Sequence, residues 1–216
     1  MDLSASGRFG TVKQLKNEVA AEVCALLAFA AVKNNDKVGM IVFTDQVEMF
    51  IPPQKGTRHV LRVIREILWF KASQSKTDLA LALDYLGKVC KRRAVVFLIS
   101  DFQDEGFERQ LRALGRHHDL IAVAIRDPKE VGLPDVGLIE LEDAETGETI
   151  LIDSSSPIVR SEYQTLTAQN ASNIANIFRS IGIDQIDIET GRPYVLDLVN
   201  FFRAREKGRQ RKRYGK

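Results

Sequence analysis

Ala94-Val95-Val96-Phe97-Leu98-Ile99, followed at once by Ser100-Asp101-Phe102, is the stretch on which the fold turns. A short, unbroken apolar run of this kind is the mark of a strand buried on both faces. Buried strands of parallel sheets carry their ligands beyond their carboxyl ends. A hydroxyl and a carboxylate, Ser100 and Asp101, stand at that place.

Working outward, Thr77 or Asp78 caps a helix over Leu79–Lys91, and Thr57–Phe70 reads as an earlier amphipathic helix. Val38–Phe43 is a second continuous apolar run and is expected to be a strand covered on both faces. Gln46–Ile51 alternates as an edge strand does, and Pro52-Pro53 is expected to stop it. Helical spacing runs from Val12 to Val32 and ends at Asn34-Asn35-Asp36. On the other side, a helix near Phe107–His117 leads to a strand at Leu120–Ile125. Gly137–Ile152 reads as a hairpin around Ala144-Glu145-Thr146-Gly147. Ser154-Ser155-Ser156-Pro157 opens a long helix to about Ile181. A strand at Gln185–Ile188 and a helix over Tyr194–Arg205 complete the order.

Helices alternating with buried strands imply an α/β fold, with a doubly wound, mostly parallel sheet covered by helices on both faces. One domain is expected over residues 1–206, with a basic, disordered tail over 207–216. A doubly wound sheet asks for five or six apolar residues ahead of Asp2, and the chain supplies only Met1. The expectation is that the first strand is missing and that the sequence is a fragment or begins downstream of its natural start.

Composition limits the function. The net charge is +2, but residues 203–216 carry eight Lys or Arg against Glu206 alone, leaving 23 basic and 28 acidic residues in the body. A body of net charge about −5 gives no case for nucleic-acid binding. Cys24 and Cys90 lie in apolar, helix-like stretches and read as buried free thiols. The longest apolar run, Val19–Val32, is interrupted by Glu22 and is too short to span a bilayer. With polar residues directly after Met1, a cytoplasmic protein is expected. His117-His118, near a helix end, reads as a solvated pair that complements the helix dipole. No Gly-x-Ser-x-Gly elbow and no phosphate-cradling glycine loop occurs.

The candidate site comes from three separate segments: Asp2-Leu3-Ser4-Ala5-Ser6, Thr77-Asp78, and Ser100-Asp101. Taken singly, each has a plainer reading, as a polar terminus, a helix cap and a strand-end turn. Together, Asp2, Ser4, Ser6, Thr77 and Asp101 make an all-oxygen set suited to a hard divalent cation, Mg2+ or Mn2+, that keeps several waters.

The spacing and flanks of that set resemble the metal-ion-dependent adhesion site of von Willebrand factor A-like, Rossmann-like domains. Asp36-Lys37-Val38-Gly39-Met40-Ile41-Val42-Phe43-Thr44-Asp45, Ile51-Pro52-Pro53-Gln54-Lys55-Gly56 and Ile99-Ser100-Asp101-Phe102 resemble one branch of that fold, the domain of unknown function 58 family. The ending from Pro193-Tyr194-Val195-Leu196 to Phe201-Phe202-Arg203 is similar as well, and residue 7 departs from the family's usual Met as Gly7. The resemblance implies that Ser4 and Ser6 bind the metal directly, and that Asp2 accepts hydrogen bonds from the ion's waters or stands behind its direct ligands. Thr77 would bind in a ligand-bound state, and Asp101 directly or through water. It implies a partner protein whose acidic residue completes the coordination, and an adaptor or co-chaperone role beside a MoxR-type AAA+ ATPase. A non-enzymatic binding module follows. The competing readings are a metal-dependent hydrolase or phosphotransferase using Asp2 or Asp101, and a scaffold with a vestigial site.

Overall fold

The computed structural model describes residues 1–4, 15–70, 76–142 and 148–214. In chain order the elements begin with α1 (Lys16–Lys33), β1 (Val38–Phe43), β2 (Val47–Gln54), α2 (Thr57–Trp69) and α3 (Leu79–Val89). They continue with β3 (Val95–Ser100), α4 (Glu108–His117), β4 (Asp119–Arg126), α5 (Pro128–Val131), β5 (Leu138–Glu142) and β6 (Thr149–Asp153). The last three are α6 (Pro157–Ile181), β7 (Asp184–Glu189) and α7 (Val195–Tyr214). This is an α/β fold built on a parallel sheet in the order β3-β4-β7.

Burial along β4 explains why that sheet forms the centre. Ile121, Val123 and Ile125 point to one face, where Val19 and Val23 of α1, Val63 and Ile67 of α2 and Leu198 of α7 complete a core. Leu120, Ala122 and Ala124 point to the other, against Leu79 and Leu83 of α3, Leu111 of α4 and Phe178 of α6. An apolar residue at every position is what a strand needs when helices cover both its faces.

β1 departs from expectation. It pairs antiparallel with β2, and only Val42 and Phe43 at its end are buried. The register shifts twice along this pair, between Val38 and Met40 and between Val42 and Phe43. β2 runs through Pro52 and Pro53 instead of stopping before them. The register shift between Val38 and Met40 falls opposite Pro52 and Pro53, so both prolines stand at an irregularity of the ladder where N–H groups are not required. Gly39 makes room on the β1 side, since a Cβ there would lie 2.9 Å from Pro53 Cγ and 3.0 Å from the Ile51 carbonyl oxygen.

The place expected of a first strand is held by Met1–Leu3, which lie between β1 and β3. The Asp2 N–H donates to Ile99 O (2.9 Å), the Leu3 N–H to Phe43 O (3.1 Å), and the Phe43 N–H to Met1 O (3.2 Å). A parallel bridge pairs Asp2 with Phe43. Three residues thus join the β1-β2 pair to the parallel sheet.

The hairpin β5-β6 forms as read, with its turn outside the described residues. α6 begins with Pro157 at its first position and ends on Gly182 in the left-handed region at φ 77°. α7 extends past the expected Arg205 and is helical to Tyr214. His118 is not solvated. It is 3% exposed, and its Nδ1 accepts the Ala94 N–H at 3.3 Å, while His117 remains at the surface. A residue at a helix end that leads straight into a central strand must turn inward, which overrides the dipole argument.

Candidate functional site

Asp2, Ser4, Ser100 and Asp101 meet beyond the carboxyl end of β3, around a cavity of about 20 Å3 that Lys16, Asn17 and Ala20 of α1 also line. That is room for about one water-sized occupant. The geometry starts from the backbone. The Ile99 hydrogen bond sets Asp2 beside β3, so its carboxylate faces the residues that end that strand. Asp2 Oδ2 accepts the Ser100 hydroxyl at 2.7 Å, and Asp2 Oδ1 accepts the Ser4 N–H at 2.9 Å. Ser100 Oγ in turn accepts the Phe102 N–H at 3.1 Å.

Phe102 holds φ 57°, a left-handed conformation that costs a bulky residue about 1–3 kcal/mol. Its ring is buried edge-on against Phe178, with centroids 5.0 Å apart, and that packing offsets the strain. The turn that follows β3 is thereby held in one shape, with Asp101 at its start.

Asp101 meets a cation of the chain itself. Lys16, the first residue of α1, is 2% exposed, and its Nζ lies 2.8 Å from Asp101 Oδ2 and 2.6 Å from Glu130 Oε1. Glu130 belongs to α5, which opens in Asp127-Pro128. The Glu130 Oε2 accepts the Asp127 N–H at 3.2 Å, the reach back from the third position that caps a helix start. Asp127, fully buried beyond the end of β4, accepts the Thr190 hydroxyl at 2.7 Å. Acidic side chains therefore follow the ends of both β3 and β4.

The electrostatics follow from burial and crowding. Burial raises the Asp2 carboxyl above its ordinary range, and the Asp101 carboxylate adds to this. The bonds from Ser4 and Ser100 oppose it only in part. Burial alone would lower the Lys16 pKa, but Asp101 and Glu130 more than offset it and hold the ammonium charged.

Of the five residues read from the sequence, the structure brings Asp2, Ser4 and Asp101 together at one cavity. Thr77 precedes the α3 cap but is not among the residues that line it. That loop is tied to the same end of the sheet, since the Asp78 N–H donates to Thr44 O (3.0 Å) and the Leu79 N–H to Asp104 Oδ2 (2.7 Å). Asp78 caps α3 through the Leu81 N–H. Ser6 lies outside the described residues. Among the described residues no group of three or more His, Cys, Asp or Glu side chains is arranged to hold a metal. A cation here would rest on two carboxylates, with hydroxyls and water supplying the remaining oxygens. The sequence reading missed Lys16 and Glu130. Lys16 opens an apolar helix and looks like any solvated helix-start lysine, whereas Asp127 could have been found by the rule that found Asp101, an acid just after a buried strand.

An α/β protein with a polar cluster beyond its parallel strands is the class that fold and site define. The chain belongs to the family described as protein of unknown function DUF58, whose model matches residues 1–173. An uncharacterized protein of Mycobacterium tuberculosis is 29% identical over 211 residues, which is 96% of this chain and 66% of that protein. One of Mycobacterium avium is 34% identical over 134 residues, 61% of this chain and 78% of its own. The chain thus spans 66% of the length of the longer mycobacterial relative. Among solved structures, the conserved hypothetical protein BatB of Bacteroides thetaiotaomicron has a similar fold, with TM-score 0.58 at 15% identity over 96% of each chain. Among the described residues no helix is long and apolar enough to cross a membrane.

Proposed function

We propose that this chain is a protein-binding module of the von Willebrand factor A type that grips a partner's carboxylate through a divalent cation, Mg2+ or Mn2+. The observation that carries the reading is the meeting of Asp2 and Ser4 with Asp101, from segments 97 or more positions apart, at one small cavity. Asp2, Ser4 and Asp101 would hold the cation, with Ser6 and Thr77 as the hydroxyls the family resemblance adds. Ser100 would hold the Asp2 carboxylate in place without touching the ion. With only two carboxylates among its ligands, the ion keeps coordination positions that water fills and that a third carboxylate from outside can take. Among the described residues no positioned base or phosphate cradle accompanies it, and binding is the activity proposed. The partner implied by the resemblance is a MoxR-type AAA+ ATPase or a protein it remodels, in the cytoplasm.

The test is an affinity capture from host lysate, read by mass spectrometry, with Mg2+ or EDTA and with wild type or Asp101→Ala. A partner retained only with Mg2+ and intact Asp101 is the expected result. The same proteins captured in all four conditions would remove the metal bridge from the account.

A further inference from the structure

We infer that Lys16 is a tethered cation that occupies the Asp101 carboxylate when no divalent ion is bound, and that an incoming ion must displace it onto Glu130. The inference rests on the metal-binding reading and adds what sets the ion's affinity. Lysine is almost never fully buried unless paired, and Lys16 is both. Its pairing is divided. One contact is Asp101, which lines the cavity with Asp2 and Ser4, and the other is Glu130, which does not line it.

That division gives the ammonium somewhere to go. A divalent ion and an ammonium resting on the same buried carboxylate would repel strongly in a medium that screens little. The flexible four-carbon stem lets Nζ withdraw from Asp101 and remain on Glu130, already its nearer partner at 2.6 Å. Glu130 is held for this by its own bond from the Asp127 N–H, which fixes the carboxylate whether or not Lys16 leans on Asp101. In the ion-free protein, Lys16 balances one of the two crowded carboxylates that would otherwise drive the end of the sheet apart. The same contact sets a threshold, because an ion binds only where its gain exceeds the loss of the Lys16–Asp101 pair.

The experiment titrates Mn2+ and Mg2+ into wild type, Lys16→Met and the surface control Lys91→Met by calorimetry, with melting curves in EDTA and in millimolar Mg2+. The Lys91 ammonium donates to the Gly87 carbonyl at 3.0 Å and lines no part of the cavity, so it controls for loss of one positive charge. The expected result is binding about tenfold or more tighter in Lys16→Met than in the other two, with Mg2+ raising its melting temperature most. Should Lys16→Met be unfolded in EDTA, folding on addition of Mg2+ is the equivalent result. Equal affinity in all three proteins overturns the inference and leaves the metal site standing. No binding by any of them removes the metal reading and the inference with it. A Lys16→Met chain that stays unfolded in Mg2+ also overturns it, since the ion then cannot replace the ammonium.

Discussion

Asp2 carries opposed demands in a single carboxyl group. In the ion-free protein, burial and the neighbouring Asp101 hold its pKa above the ordinary 3.8. The folded chain therefore binds more protons than the unfolded chain between those two values. Stability from this group is full below the unfolded value and is lost as pH rises through the raised folded one. Asp2→Asn removes that loss. Its amide oxygen can still accept the Ser4 N–H, and its NH2 can donate to Ser100 Oγ. In EDTA at pH 7, urea unfolding should find Asp2→Asn more stable than wild type, with a flatter pH dependence above about pH 4. A variant less stable than wild type at pH 7 would contradict the raised carboxyl. The residue scale is also where sequence reading fell short. Asp2, Ser4 and Asp101 were legible because short polar motifs stand out beside apolar runs. Lys16 was not, since its partners lie 85 and 114 positions away and no local pattern reports a pairing at that distance.

Elements were read more fully than residues, because covering a strand on both faces writes itself into the chain as an unbroken apolar run. β3 and β4 were found for that reason, and α2 and α6 through helical spacing or capping signals; β7 alternates instead, with Ile186 and Ile188 buried between polar neighbours. What escaped was pairing. Nothing in Val38–Phe43 tells that its partner is an antiparallel edge strand, and a proline pair that reads as a stop is tolerated inside that edge strand. Gly39 is the residue that makes this edge possible. In Gly39→Ala the new methyl meets Pro53 and the Ile51 carbonyl at 2.9–3.0 Å, and the backbone oxygen cannot turn aside as a flexible side chain would. The expected cost is about 1–3 kcal/mol, visible as a lower melting temperature. An unchanged melting temperature would mean that β1 and β2 separate there without penalty.

Across the whole molecule, α7 adds to the core packing of Leu198 one side chain that spans two strands of the sheet. Arg205 donates from Nη2 to Asp119 Oδ1 at 2.6 Å and from Nε to Asp184 Oδ2 at 2.7 Å, spanning the starts of β4 and β7. Its guanidinium also sits over the Phe201 ring at 5.6 Å. With side-chain exposures of 20–49% across these three residues, solvent screens much of the attraction. Arg205→Met, which keeps the stem, should cost only about 1–2 kcal/mol in urea unfolding. A loss above about 4 kcal/mol would mean that the pairs anchor α7 far more than partly exposed ion pairs do.

The seam at Met1–Leu3 has a kinetic consequence. Within the sheet, the β1-β2 pair is joined to its three-stranded neighbour through the hydrogen bonds of those residues alone, among the residues described. A sheet joined so narrowly opens in two stages, with β1 and β2 leaving while β3, β4 and β7 stay closed. Amide protons of Met40–Phe43 should then exchange with solvent sooner than those of Ile121–Ile125. The candidate site lies across that seam, with Asp2 on it and Asp101 on the side that stays closed. An occupant held by both would clamp the two halves, so its arrival would be recorded in slower exchange of β1, a strand that lines no part of the cavity.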